Sequence, residues 1–178
     1  MNGDARLMDD KGPAVGVIGI GNLLLKDEGV GVHAVRALAR RALDDGASPQ
    51  GVRFVDGGTD PWAALSEVGD CRKLLVLDAV VGGKGPGEFH CLALEDVDTG
   101  GAAMSLHGLT LFHLLNYERL LGNGFDDICV LGMEPAEVAP GIGLSELCQA
   151  RLPAFMDVVT DQIHGMISRD NKPDTDAH

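Results

Sequence analysis

The run AVGVIGI at 14–20 offers no polar residue to either face of a strand, and a glycine-asparagine pair and then a helical pattern follow it. A strand of this kind is buried on both sides, which happens chiefly where helices cover both faces of a parallel sheet. Gly21 and Asn22 turn the chain. Val32, Val35, Leu38 and Ala39 then repeat at helical spacing on a helix from about Glu28 to Leu43.

The rest of the chain repeats that unit. VRFVD at 52–56 reads as a second strand, ended by Gly57–Gly58, and Pro61 suits the first position of a short helix near 61–68. KLLVLDA at 73–79 is a third strand. The turn GGKGPG at 82–87 is too short for a helical crossover, so EFHCLAL at 88–94 returns antiparallel. A helix spans about 106–121, with Ser105 as its cap and Gly122 as its stop. DICVLGM at 127–133 is a further buried strand. The last helix lies between about Ser145 and Met166, and Pro153 is expected to kink or divide it. This order predicts a three-layer α/β/α fold with a mainly parallel, twisted sheet of about five strands, one of them antiparallel. Residues 1–178 read as a single domain, with flexible termini at 1–13 and 169–178.

Composition narrows the function. Apolar residues make up 45% and charged residues 23%, ordinary for a globular chain. The formal net charge of −13 repels phosphate backbones and anionic lipid surfaces, so neither nucleic acid nor membrane is an expected partner. Four cysteines without a C-x-x-C pair give no disulfide framework and no zinc knuckle, which suits a reducing compartment; three of them sit inside apolar runs, where free cysteine packs as a small hydrophobe. The acidic N-terminus has no signal-peptide core, and no apolar stretch is long enough to span a bilayer. The expected location is the cytoplasm.

Several motifs fail on inspection. Gly19 and Gly21 fit the start of a dinucleotide-binding glycine pattern, but Leu24 holds the third position, and Asp27 and Glu28 would repel a pyrophosphate. The turn around Lys84 lacks the ending of a phosphate loop. A single DTG at 98–100 lacks the second carboxylate of an aspartic protease. Neither G-x-S-x-G nor H-E-x-x-H occurs, and His107 and His113 fall on different helix faces.

Three residues remain at strand ends: Glu28 after the first strand, Asp78 at the end of the third, and His107 in the first turn of the helix near 106–121. In a doubly wound sheet such ends gather at one edge. Two carboxylates and an imidazole make a site for a divalent transition metal with positions left open. Each residue also has a plainer reading. Glu28 suits a helix N-terminus, and His107 suits a helix start. Asp78, after the apolar LLVL, needs a partner of some kind.

The segments GIGNLLLKDEGVGVHAVRAL, VDGGTDPW, LLVLDAVVGGKGPGEF and SLHGLTLFHLL together resemble the nickel-iron hydrogenase maturation proteases, in order and at compatible spacing. The resemblance runs from about Val15 to the helix after Gly143. It implies that Glu28, Asp78 and His107 bind metal and that Asp56 lies beside them as a base or an orienting group. It also implies a cytoplasmic endopeptidase that removes a C-terminal peptide from the nickel-loaded precursor of a hydrogenase large subunit. The nickel would arrive with the substrate rather than reside in the enzyme, and the protein is expected to be a monomer. Glu134, in GMEPAEVAP at 132–140, stands where similar proteins often carry a different residue. Two other readings are a non-catalytic metallo-chaperone that holds the same precursor and a nucleotide-binding oxidoreductase.

Overall fold

The computed structural model describes residues 14–44, 51–94, 103–122 and 124–169. The expected terminus at 1–13, all but Arg169 of the one expected at 169–178, the DTG tripeptide and most of the loop leading to Ser105 lie outside the described residues.

The elements run β1 (Val15–Ile20), a 3-10 turn (Lys26–Gly29), α1 (Val30–Asp44), β2 (Val52–Gly58), α2 (Pro61–Val68), β3 (Lys73–Val81), β4 (Phe89–Ala93), β5 (Ala103–Met104), α3 (Leu106–Leu120), β6 (Asp127–Met133) and α4 (Glu146–Arg169). Strands are ordered β2-β1-β3-β6-β4. The pairs β1–β2, β1–β3 and β3–β6 are parallel, and β4 runs antiparallel to β6 as expected. The two-residue β5, not foreseen from sequence, pairs antiparallel with Val80 and Val81 and so extends β3 beyond its expected end at Ala79.

Side-chain alternation divides the core in two. Val15, Val17, Leu75, Leu77 and Leu131 pack beneath α1 and α4, where Val35, Leu38, Phe155 and Val159 meet them. Ile18, Ile20, Leu74, Val76 and Val130 pack beneath α2 and α3, against Ala64, Val68, Leu111 and Leu115. This two-sided burial is what the apolar runs required. Local chemistry sets the helix ends. Asp60 Oδ1 accepts the Ala63 N–H at 3.0 Å ahead of Pro61, and Ser105 Oγ accepts the Gly108 N–H at 3.0 Å.

Three expectations change. Glu28 does not open the long helix; it lies in the preceding 3-10 turn, and α1 begins at Val30. Pro153 does not divide the last helix, because its ring and the Gln149 carbonyl it leaves unbonded lie on the exposed side. Arg169 belongs to that helix rather than to a flexible tail, and it pairs with Asp127 at 2.9 Å.

The entry of α1 into the sheet depends on glycine. A Cβ on Gly31 would lie 2.1 Å from the Leu77 carbonyl oxygen and 2.6 Å from that of Ile20, and one on Gly19 would lie 2.2 Å from the Gly31 oxygen. The helix therefore approaches β1 and β3 backbone to backbone. Gly31→Ala is expected to cost about 1–3 kcal/mol through forced displacement of α1, read as a lower urea midpoint in equilibrium unfolding.

Candidate active site

The strand order places a switch point between β1 and β3, since the chain leaves β1 toward β2 and later leaves β3 toward β6. Ligands of doubly wound sheets bind outside the carboxyl ends of the strands at this point. Glu28 follows β1, and Asp78 lies near the end of β3. His107 enters from α3, on the opposite face of the sheet from α1.

Each side chain is held differently. The Glu28 Oε2 accepts the Asn22 N–H at 2.6 Å, and its Oε1 lies 3.7 Å from His107 Nε2. Asp78 is wholly buried. Its Oδ1 accepts the Ala79 N–H at 2.8 Å and its Oδ2 the Ser105 N–H at 3.0 Å. Burial pushes the Asp78 carboxyl up to about 7; the donors at Ser105 and Ala79 pull against this, and the neighbouring Glu28 carboxylate adds to it. A Cβ on Gly108 would fall 2.0 Å from Asp78 Oδ2, so the residue after His107 must be glycine for α3 to approach. The structure thus draws Glu28 and His107 together above Asp78. Among the described residues, no three His, Cys, Asp or Glu side chains come together as a group that could hold a metal ion, so the structure pairs Glu28 with His107 and leaves Asp78 outside a three-ligand set.

Asp56 sits apart from the three. It pairs with Gly19 across from β1, and Gly19 also pairs with Leu77, so two strand spacings, about 10 Å, separate Asp56 from the Asp78 strand. Its Oδ2 takes the Arg36 Nε at 2.5 Å and its Oδ1 the Gly58 N–H at 3.1 Å.

Sequence reasoning missed Asp27 except as a charge that opposes phosphate. Its carboxylate is fully buried and accepts four hydrogen bonds, from the backbone N–H groups of Ser145 (2.7 Å), Glu137 (2.8 Å) and Ala136 (3.0 Å) and from the Ser145 hydroxyl (2.7 Å). Burial alone would raise its pKa, but these donors outweigh burial and hold the carboxyl below its ordinary value. Lys26, at φ 48°, is braced by the same segment through Glu137 at 2.6 Å. The 3-10 turn carrying Glu28 is therefore fastened to residues 136–145.

Glu134 also has a defined place. It is buried, its Oε2 lies 2.8 Å from His90 Nε2, and it accepts the N–H groups of Lys84 (3.0 Å) and Gly82 (3.3 Å). The hydrogen bond from His90 is the main cause of its lowered pKa. It therefore clamps the glycine turn that leaves β3. A separate cleft lined by Trp62, Leu65 and Phe125 lies between α2 and α3 toward the amino ends of the strands, away from the Glu28–His107 pair.

Comparison with known proteins decides what this arrangement belongs to. The family profile described as hydrogenase maturation protease matches residues 32–162. The chain belongs to the hydrogenase maturation proteases. It is 32% identical over 145 residues to the hydrogenase 2 maturation protease of Escherichia coli K12, a match covering 80% of this chain and 86% of that one. It is 34% identical over 148 residues to the hydrogenase expression/formation protein HupM of Azotobacter chroococcum, covering 82% and 69%. The hydrogenase maturating endopeptidase HybD of E. coli superposes with a TM-score of 0.70 at 27% identity, covering 85% of this chain and 92% of that one. The protein is accordingly an endopeptidase, and its α/β architecture is the maturation-protease fold.

Two outcomes follow from the site's buried carboxylates. Asp27→Asn retains one acceptor but turns an N–H toward other donors, so it is expected to cost about 2–3 kcal/mol, measured by urea unfolding. Asp78 holds its proton in the folded protein up to about 7, whereas in the unfolded chain it loses the proton near 3.8. The folded state binds the extra proton between those values, so this residue's contribution to stability falls as pH rises from about 4 to 7 and then levels. Asp78→Asn is expected to flatten that part of the metal-free stability profile.

Proposed function

We propose that this protease removes a C-terminal peptide from the nickel-loaded precursor of a nickel-iron hydrogenase large subunit, recognising the substrate's nickel through Glu28, Asp78 and His107. The observation that carries the reading is the approach of Glu28 Oε1 to His107 Nε2, at 3.7 Å above buried Asp78, in a member of this protease family. Two ligands with bonds of about 2.0–2.1 Å to a shared ion lie up to about 4 Å apart, so this spacing suits an ion held between them. Carboxylate and imidazole are donors that divalent nickel accepts.

The nickel is cargo of the substrate. The Glu28–His107 pair alone would leave coordination positions for ligands from the precursor, which supports this. Docking then fixes the scissile bond near the site, and the metal's charge polarises a water or the peptide carbonyl. Asp78, buried and backbone-bonded, serves as the rigid floor. Asp56 was expected as a base or an orienting group. Its oxygens are engaged by the Arg36 guanidinium and the Gly58 N–H, which favours the orienting role. Leu24, Leu106, Val138 and Ile142 stand exposed on the segments that carry or brace the ligands, and they offer apolar contact to an incoming chain.

The rest of the reading is a monomer working in the cytoplasm. Free cysteines favour a reducing compartment, and among the described residues no helix is long and apolar enough to cross a membrane.

The test is the intact mass of a large-subunit precursor after incubation with the protein, with and without nickel loaded. Loss of a C-terminal peptide only from the loaded form is expected. Glu28→Ala should abolish that loss without unfolding the enzyme, as read by circular dichroism. Normal cleavage by Glu28→Ala would remove the metal assignment. Stable binding with no cleavage by the unmodified chain would point to the chaperone instead.

A further inference from the structure

We propose that Cys91 and Cys129 are a thiol pair that closes reversibly into a disulfide between β4 and β6 on exposure to a small-molecule disulfide such as oxidised glutathione. Sequence reading finds no disulfide framework here, but the structure sets these two cysteines apart. Their Sγ atoms lie 3.5 Å from each other. Cys91 is exposed, whereas Cys129 is buried. The strand register pairs Cys91 with Leu131 and Ala93 with Cys129, so the two thiols are diagonal neighbours on one face of the sheet.

Bond formation needs the sulfurs to close by about 1.5 Å, to the usual 2.05 Å. The strand able to supply that movement is β4. Among the described residues it is an outer strand of the sheet, paired with β6, so it can shift without breaking a second described ladder. Because Cys91 is exposed, the closed bond stays accessible to a thiol reductant.

The two thiols have different parts in the exchange. The Cys91 thiolate attacks one sulfur of oxidised glutathione, forming a mixed disulfide and releasing one glutathione thiolate. Cys129 then loses its proton and attacks the Cys91 sulfur, forming the protein disulfide and expelling the second glutathione. Both protein thiol protons end on the two released glutathione molecules; the small disulfide is reduced and the protein is oxidised. Burial, followed by the neighbouring Cys91, raises the Cys129 thiol well above its ordinary range, so the second step is the slower one. Cys71 is buried in the core beneath α2 and α3, and Cys148 directs its Sγ to the Glu134 carbonyl at 3.9 Å, so neither competes. His90, which bonds Glu134, directly precedes Cys91, so the closed bond fastens the edge that braces the turn after β3.

The inference stands apart from the protease reading and is tested without activity. The full chain is incubated with oxidised glutathione and followed by intact mass under non-reducing conditions. The glutathione adduct is expected first, giving way to a species two hydrogens lighter than the starting protein and reversed by dithiothreitol. Peptide mapping should join the segments containing Cys91 and Cys129. In Cys129→Ala the adduct should persist, and in Cys91→Ser neither species should form. A persistent adduct on the unmodified chain, no reaction, or a link through Cys71 or Cys148 would overturn the proposal.

Discussion

The site depends first on the buried carboxylate of Asp27. An unpartnered ion in that position would cost several kcal/mol, yet four donors from residues 136–145 meet it. The bonds join two stretches of chain more than 100 residues apart. Because Glu28 is the next residue, the same bonds set the direction from which its carboxylate approaches His107. A chain with only the strands and helices in place would still lack this fixed turn.

The second constraint is backbone proximity. The glycines at 19 and 31 let α1 sit against β1 and β3 with no side chain between. Gly108 does the same for α3 beside Asp78. Helices from opposite faces of the sheet therefore converge at one point on its edge, and Asp78 lies between them. Burial then acts on the carboxyl itself, so that its charge depends on what arrives. An incoming cation would favour the ionised form that burial disfavours. Packing geometry and binding chemistry are in this way one arrangement.

Much of the fold was legible because its signals are local. The apolar runs gave the buried strands, the short glycine turn gave the antiparallel β4, and Ser105 and Pro61 marked helix starts. The misses share a cause. The 3-10 turn at Lys26–Gly29 and the two-residue β5 have no periodicity to read, and both are held by distant partners. Pro153 misled because its cost depends on which side of the helix faces water. Cys91 looked like core because the residues around it are apolar, although the outer position of β4 leaves it exposed.

The sequence by itself determined the layered α/β class, the parallel sheet and the strand ends that carry Glu28, Asp78 and His107. Those features follow from spacing within a few residues, and matching motifs in order were enough to suggest the protease family. Tertiary structure alone decided the distances: Glu28 to His107, Asp27 to Ser145, His90 to Glu134, and Asp56 to Arg36 rather than to the three candidate metal ligands. Each joins residues that the chain separates and the sheet order brings back together. Hydrogen bonds and charge interactions act over a few ångströms, so no local pattern records them until the strands have taken their places.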